Sequence, residues 1–235
     1  MKLILDERIR KVEKEALEDL GYNVILLKKD NRVYEEISSH SDIFLCKVGN
    51  KLIVEKERYP EIKSFVDNKT DTVCGEKIGN NYPEDVKYNV CIVRNTAIHN
   101  FDFTDPIIKQ ELIKNDYRLI SVKQGYTNCS IAVIDEKHLI TCDRGIYDTL
   151  KKYDFEILFL EEKLDIKLSK NGKYSEKNGF IGGCISRIGN KIIVFGDLNK
   201  IDKNQKIREF IEERKLKIVD FNGLDVVDYG GVVEI

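Results

Sequence analysis

The sequence lacks several features that would assign it to a class directly: it has no run of 18 apolar residues, no block of like charges and no C-x-x-C pair. Without such an apolar run we expect no membrane-spanning helix, and Asp6 interrupts the apolar start too early for a secretory signal. The 39 basic and 41 acidic residues leave a net charge of -2, which disfavours binding to nucleic acid. With no secretory signal and no metal-ligand spacing, the six cysteines predict reduced thiols in a cytoplasmic protein, without disulfides or a structural zinc.

The chain also has few residues that mark loops and linkers, because only three prolines occur and no segment is rich in glycine, serine and proline. The lack of a flexible linker predicts one domain spanning residues 1–235. The polar stretch at residues 161–178 contains a candidate for an exposed loop tip at residues 170–173. No Walker A, H-E-x-x-H or G-x-S-x-G motif occurs, so the chemistries of those three motifs have no support.

An internal repeat is the main positive signal. The segment Gly49–Val54 reappears almost unchanged as Gly189–Val194, and in both a Gly-Asn pair separates two apolar runs. Such a pair is typical of a two-residue β-hairpin turn, in which glycine takes the positive φ. A cysteine precedes each hairpin, and two looser copies of the pattern bring the set to Cys46, Cys91, Cys129 and Cys184. The repeat period of roughly 40 to 50 residues predicts a repeat architecture.

Each hairpin is followed by a helical pattern and another strand. The clearest helix begins with Asp105 as its cap and Pro106 in its first turn. Near the start of the chain, Asp6 is predicted to cap a helix whose apolar stripe includes Val12 and Leu20. Five helix–strand units can be counted in this way, but only four of them have an upstream hairpin.

The two ends of the chain supply the missing hairpin. Residues 1–5 form a strand without a first half, and residues 230–235 form a strand without a partner. If these strands pair, they complete a fifth unit and remove two exposed sheet edges. The predicted fold is therefore α/β: a five-bladed, pseudo-fivefold α/β-propeller of ββαβ units, closed by pairing of the N- and C-terminal strands.

A closed ring of five ββαβ units resembles the pentein superfold of guanidino-group-modifying enzymes. That superfold includes arginine and agmatine deiminases, dimethylarginine dimethylaminohydrolase, amidinotransferases and a non-catalytic ribosome anti-association factor. The segments Lys123–Cys129, Gly179–Cys184 and Asp228–Gly231 are similar to a bacterial branch of the superfold. The resemblance implies a site in the central channel, where a cysteine attacks a guanidinium carbon, a histidine handles protons and paired carboxylates hold the cation.

The nucleophile that the resemblance implies is missing from its usual place. Gly230 and Gly231 match the glycine-rich stretch, but valines follow where the cysteine belongs. Cys129 and Cys184 are the two candidates for a displaced nucleophile, and the alternative for all four repeat cysteines is packing in the first strands of the ring. The remaining two cysteines, Cys74 and Cys142, are predicted to be packing residues.

Several polar residues fall where first strands begin. His40 and Asp42 are two positions apart on a predicted strand, so their side chains would share one face. They form either a carboxylate-oriented general base or a polar pair that ends a turn. Asp228 either faces the same channel or caps the glycine turn beside it. We expect one cleft to hold His40, Asp42, Asn128 and Asp228, and the predicted ligand-binding residues are Tyr126, Asn128, Asp228 and Glu234.

Three functions remain open. The first is recognition of a small polar or cationic ligand in the central channel, without cysteine-dependent guanidine hydrolysis. The second is a divergent guanidino-group hydrolase or transferase with Cys129 or Cys184 as nucleophile and His40 as base. The third is a non-catalytic scaffold associated with protein or RNA, although the near-zero net charge disfavours RNA. A small molecule is the expected partner, and neither a cofactor nor a metal ion is expected.

Overall fold

Five three-stranded sheets make up the computed structural model, which describes residues 1–67, 70–168 and 176–235. The predicted loop tip at residues 170–173 lies outside the described residues. The strands are β1 (Lys2–Asp6), β2 (Asn23–Leu27), β3 (Leu45–Val48), β4 (Lys51–Val54), β5 (Asp71–Cys74), β6 (Cys91–Val93), β7 (Thr96–His99), β8 (Arg118–Ser121), β9 (Ile131–Val133), β10 (His138–Thr141), β11 (Glu156–Phe159), β12 (Ile185–Ile188), β13 (Lys191–Val194), β14 (Lys217–Val219) and β15 (Val233–Glu234). The α-helices are α1 (Lys11–Asp19), α2 (Ser41–Phe44), α3 (Tyr59–Phe65), α4 (Pro106–Lys114), α5 (Thr127–Ser130), α6 (Arg144–Leu150), α7 (Ile181–Cys184) and α8 (Lys206–Glu212).

Every sheet has the same internal order. In one of them β3 and β4 form an antiparallel hairpin, α3 follows, and β5 then lies parallel to β4. The order recurs in β6–β7–α4–β8, β9–β10–α6–β11 and β12–β13–α8–β14. A helix stands between the second and third strands because parallel neighbours need a long crossover, whereas the antiparallel pair needs only a tight turn.

The fifth sheet joins the two ends of the chain. Strand β15 runs antiparallel to β1, with Leu3 opposite Glu234 and Ile4 opposite Val233. Strand β2 lies parallel to the other edge of β1 after the crossover helix α1. The predicted α/β-propeller of five ββαβ units, closed by the terminal strands, is therefore confirmed.

Local turn and cap chemistry explains why the elements begin and end where they do. Gly49 and Gly189 have φ values of 58° and 60°, as their place in the two-residue hairpin turns requires. The Asp105 carboxylate accepts hydrogen bonds from the first-turn N–H groups of α4, and Asp143 accepts one at the start of α6. Both caps satisfy backbone donors that have no partner within the helix.

The first helix differs from the sequence prediction. It begins after Arg10 rather than after Asp6, and both Val12 and Leu20 are exposed. Asp6 is the last residue of β1, and its buried carboxylate is held by the guanidinium of Arg8. Because that carboxylate already has a charged partner, it is not free to cap a helix, and the apolar stripe is displaced along the sequence.

The cysteines are unlinked, as predicted, but they do not all share one register. Cys46 and Cys91 occupy equivalent places in their hairpins, whereas Cys129 and Cys184 lie in short helices ahead of a first strand. All four are buried. The remaining two, Cys74 and Cys142, are exposed rather than packed in the core, so the packing prediction is wrong for them.

None of the helices that the structure describes is long and apolar enough to cross a membrane.

Candidate active site

Short helices position the polar residues of the site. Helix α2 precedes β3, α5 precedes β9 and α7 precedes β12, and each ends where its strand begins. Asp42, Asn128 and Gly182 are the second residues of these helices, and each stands three positions before the start of its strand. They are therefore equivalent positions of three repeat units.

The predicted strand at His40 and Asp42 is wrong, because His40 caps α2 and Asp42 lies inside it. Residues two apart in a helix point in different directions, so the two side chains diverge instead of sharing a face. Gly230 fits between them: a Cβ atom at this glycine would overlap His40 and lie 2.8 Å from Asp42 Oδ1. The close approach of the terminal segment thus separates the site into a thiol side and an imidazole side.

On the thiol side, two polar groups contact the Cys129 sulfur, and a third holds one of them. Its thiol donates a hydrogen bond of 2.9 Å to Asp42 Oδ2, and Asn128 Nδ2 donates one of 3.0 Å to the same oxygen. Asn89 Nδ2 lies 3.2 Å from the sulfur as a donor. The other oxygen of Asp42 is buried and has no hydrogen-bond partner among the described residues. A buried carboxylate oxygen that lacks a partner is a place where a ligand's N–H group can bind.

On the imidazole side, His40 is 1% exposed and stands between two carboxylates. Its Nε2 lies 3.7 Å from Asp6 Oδ2, and its Nδ1 lies 3.9 Å from Asp228 Oδ1. Within the described part of the chain, neither ring nitrogen has a hydrogen-bond partner. Ligating atoms of His40, Cys129 and Asp228 all lie within 4.8 Å of one another, so this imidazole is close to the thiol as well.

Burial sets the protonation states of these groups. Burial raises the pKa of Asp42 to about 6, although hydrogen bonds from Cys129 and Asn128 oppose the increase. Burial, together with the charges of Asp42 and Asp228, raises the pKa of the Cys129 thiol well above its usual range. Burial lowers the pKa of His40, against the attraction of its neighbouring carboxylates. At neutral pH the site therefore combines a thiol, a neutral imidazole and anionic Asp42.

Asp228 and Asp6 are the two carboxyl groups on either side of His40, and their pKa values shift in opposite directions. Burial raises the pKa of Asp228, and the neighbouring His40 partly offsets this effect. Burial is the largest influence on the pKa of Asp6 and would raise it, but the hydrogen bonds and charge of Arg8 together with the neighbouring His40 outweigh burial, and the pKa falls. The positive charge of Arg8 thus balances the negative charge of Asp6. Among the described residues, neither Asp42 nor Asp228 has such an arginine or lysine partner.

Asp228 is fixed by backbone groups and by small neighbours. It accepts hydrogen bonds of 2.8 Å from the Phe180 N–H and 2.9 Å from the Gly230 N–H. A Cβ atom at Gly183 or Gly179 would overlap its side chain. The glycine-rich stretches therefore allow close packing around a buried carboxylate.

A cavity of about 270 Å³ opens onto the imidazole side. Its lining includes His40, Cys129 and Asp228, with Tyr126 and other aromatic side chains around them. The Tyr126 hydroxyl donates a 2.8 Å hydrogen bond to Asp85. This cavity contains both a potential nucleophile and a carboxylate that lacks a cationic partner.

The predicted site residues divide between two cavities. Asp42, Asn128 and Glu234 line a second cavity of about 190 Å³, and burial raises the pKa of Glu234 there, although Lys47 opposes it. Cys184 is fully buried in a hydrophobic cluster, and its thiol donates to the carbonyl oxygen of Ile181 at 3.3 Å. The structure therefore brings Cys129, but not Cys184, next to His40.

Sequence reasoning missed Asn89. Its Oδ1 accepts hydrogen bonds from the backbone N–H groups of Asn128 (2.8 Å) and Cys129 (3.2 Å), while its Nδ2 reaches the sulfur. Asn89 stands just before β6, in the segment of its own unit that corresponds to the short helices elsewhere. Inspection of every segment ahead of a first strand would have found it.

The same trio offers donors for a metal ion. The imidazole of His40, the thiol of Cys129 and the carboxylate of Asp228 are ligand types that zinc accepts, and they lie close enough together to share one ion. The expectation of no metal came from cysteine spacing alone and took no account of a mixed site assembled from three distant segments. A chelator therefore belongs in any activity test.

The fold and the family can be compared with known proteins. A family model described as "Family of unknown function (DUF6873)" matches residues 4–233. No curated protein matches the chain by sequence.

Solved structures show similarity over nearly the whole chain. A dimethylarginine dimethylaminohydrolase from Pseudomonas aeruginosa, solved with citrulline, is 12% identical, with a TM-score of 0.60 over 95% of this chain and 91% of that one. An amidinotransferase of saxitoxin biosynthesis from Microseira wollei is 9% identical, with a TM-score of 0.56 over 96% and 88%. The agmatine deiminase of C. jejuni is 12% identical, with a TM-score of 0.52 over 95% and 76%. The chain thus has the pentein fold, as the sequence resemblance implied.

Proposed function

The chain belongs to DUF6873, a family of unknown function, and we propose that it binds a small guanidine or amidine in its central channel and acts on that group through Cys129. The observation that carries the proposal is the position of the Cys129 sulfur. It lies 2.9 Å from Asp42 and lines the same cavity as His40 and Asp228. The sequence analysis favoured binding without cysteine chemistry, because no cysteine follows Gly231. The position of Cys129 favours the alternative.

Recognition of a cation follows from the charges of the site. Asp228 lines the cavity, and Asp42 binds the thiol at its floor. Guanidinium and amidinium are planar cations with several N–H donors, so one ligand can pair with more than one carboxylate oxygen. Asp228, which lines the cavity, supplies carboxylate acceptors, and His40 supplies another through an unprotonated ring nitrogen.

Ligand binding also activates the thiol. The charges of Asp42 and Asp228 contribute to the raised pKa of Cys129. A bound cation beside the sulfur offsets those charges, which favours the thiolate in the complex. Ionisation of the nucleophile is therefore coupled to occupation of the site by a positively charged ligand.

In the first chemical step, sulfur bonds to the central carbon and one C–N bond of the guanidinium or amidinium breaks. The thiol proton passes to a neighbouring base, either His40 or the Asp42 carboxylate, and the protonated base delivers a proton to the departing ammonia or amine. The product is a cationic S-amidino or thioimidate adduct on Cys129.

In the second step, water or an acceptor amine adds to the same carbon and the C–S bond breaks. The nucleophile gives a proton to the base, which passes it to the Cys129 sulfur and restores the thiol. When water is the nucleophile, a second proton is released and converts the departed ammonia or amine into its cation. Water yields a urea from a guanidine or an amide from an amidine, whereas an acceptor amine yields a new guanidine or amidine. The two outcomes define a hydrolase and a transferase, and both use the same covalent adduct.

The proposal is tested by measuring ammonia and amine release from simple guanidines and amidines in the presence of EDTA. We expect release that follows saturation kinetics and survives the chelator, because the thiolate mechanism needs no metal ion. Activity that vanishes in EDTA and returns with zinc would contradict the mechanism and assign the His40–Cys129–Asp228 cluster to a metal. The complete absence of release would leave the protein as a binder only.

Binding without turnover is the second candidate function. The observation that favours it is the burial of the thiol, which is 2% exposed and has a raised pKa. A protein that binds a guanidinium cation without releasing ammonia or an amine would match this alternative. Calorimetric titration with methylguanidine separates it from a scaffold without a small-molecule ligand.

A further inference from the structure

We infer that the guanidine or amidine carries a short, uncharged, apolar or aromatic substituent rather than an amino-acid tail with a carboxylate. This inference rests on the proposed function and names the substrate class of the same site. It comes from the side chains that line the 270 Å³ cavity beyond the reacting groups.

Aromatic rings form one wall of the cavity. Tyr82 and Tyr126 have ring centroids 5.9 Å apart, and Tyr126 and Phe180 have centroids 6.2 Å apart. Tyr34, Ile37 and Leu168 add apolar surface to the lining. A flat or aliphatic substituent packs against such a wall, and the ring faces also attract a cation.

The charged residues of the described lining are two acids and one lysine. Glu36 and Asp228 are buried and line the cavity, and Asp85 lies behind the Tyr126 hydroxyl. A substrate carboxylate placed in this cavity would meet negative charges of its own sign. The electrostatic field of these carboxyl groups therefore favours the cationic guanidinium or amidinium of a ligand and disfavours an anionic substituent on it.

Among the described lining residues, Lys177 is the one lysine, and none is an arginine. Lys177 is exposed to solvent. Arg8 is close in sequence to the site residue Asp6, but its guanidinium is committed to Asp6 and to the carbonyl oxygens of residues 35 and 36. An exposed lysine contributes little to holding a carboxylate, so none of the described lining residues is a built partner for an amino-acid tail.

The size of the cavity limits the substituent. A volume of 270 Å³ equals that of about nine water molecules in the liquid. This room holds a guanidinium group together with one ring or a chain of a few carbons. Phenylguanidine and butylguanidine are therefore suitable probes.

The test compares ligands that differ only in the tail, using calorimetric titration of the near-isosteric Cys129→Ser variant so that no turnover occurs. The probes are butylguanidine, phenylguanidine, 4-guanidinobutanoate and arginine. We expect butylguanidine and phenylguanidine to bind at least tenfold more tightly than the two carboxylate-bearing probes. We also expect Tyr126→Leu to weaken binding of phenylguanidine more than binding of butylguanidine.

Two results overturn the inference in distinguishable ways. If arginine or 4-guanidinobutanoate binds as tightly as butylguanidine, the substrate class is wrong, while the proposed guanidine chemistry stands. If none of the four probes binds, the proposed function fails and the inference fails with it. If Tyr126→Leu does not change the affinity for phenylguanidine, the aromatic wall has no role in binding.

Discussion

Replacing Cys129 by alanine is expected to lower the turnover of guanidines and amidines by at least about 10³-fold. The sulfur forms the covalent bond in the proposed mechanism, and alanine offers no nucleophilic atom. The hydrogen bond from the thiol to Asp42 disappears with it, but Asn128 still donates to that carboxylate. Ligand binding should therefore survive the change, and the loss should fall on kcat rather than on KM.

Cys184→Ala is the matched control for this experiment. Cys184 is also a buried cysteine in a four-residue helix ahead of a first strand, but it packs in a hydrophobic cluster away from His40. Removing its sulfur leaves a small cavity that costs about 1 kcal/mol of unfolding free energy. We expect its turnover to equal that of the wild type. Equal losses in the two variants would show that packing, and not nucleophilic attack, explains the effect of Cys129→Ala.

Changing Asp42 to asparagine is expected to alter the pH dependence of stability. Burial raises the pKa of Asp42 to about 6 from an unfolded value of 3.8, so the folded protein binds more protons between these pH values. The contribution of Asp42 to stability is therefore present at pH 4 and lost as pH rises through 6. Asparagine does not titrate, so the variant should gain about 2 kcal/mol relative to the wild type between pH 4 and pH 7.

Urea denaturation of both proteins at several pH values measures this difference. His40 and Asp228 titrate in both proteins, but the charge of Asp42 also raises the pKa of Asp228, so the difference reports Asp42 together with its coupling to Asp228. If the new amide destabilises the protein equally at every pH, it shifts the whole curve of unfolding free energy against pH and leaves the slope of that curve unchanged. A difference that is flat from pH 4 to pH 7 would show that the carboxyl group is not held in the buried, thiol-bonded state that the structure describes. The variant should also lose turnover, because it removes the carboxylate that accepts the Cys129 thiol hydrogen bond and is one of the two candidate bases.

The fold could be predicted from sequence because its signals are local and repeated. The Gly49-Asn50 and Gly189-Asn190 pairs identify hairpins by the backbone conformation that they allow, and five helix–strand units against four hairpins imply that the termini pair. The first helix was misplaced because periodicity alone does not show that Asp6 is already bound to Arg8. A tertiary ion pair overrode the local capping preference.

Which residues lie near the site could be predicted from the sequence, but their conformation could not. The residues that precede first strands converge in a ring, which is why His40, Asp42, Asn128 and Asp228 lie near one another, although two cavities rather than the one predicted cleft hold them. Their conformation was not predictable, because four-residue helices give no periodic signal in the sequence. Sequence also could not choose between Cys129 and Cys184, since the choice depends on which sulfur points to the channel and which to the core.

Reaction of Cys129 with a cationic alkylating agent tests the central claim most directly. 2-Chloroacetamidine is a cation, and 2-chloroacetamide is its neutral analogue of nearly the same shape. With either reagent, the sulfur displaces chloride and the thiol proton passes to a base. Rates at each cysteine are obtained by peptide mass spectrometry and divided by the rate of the same reagent with free cysteine. The exposed Cys74 and Cys142 serve as internal controls.

If Cys129 is a nucleophile in a cation-selective cavity, its corrected rate with the amidine should exceed that with the amide by at least about tenfold, equivalent to 1.4 kcal/mol. Asp228→Asn should reduce that preference, and methylguanidine should protect Cys129 while leaving Cys74 and Cys142 unprotected. Equal corrected rates with the two reagents, or labelling of Cys74 and Cys142 without Cys129, would contradict the account.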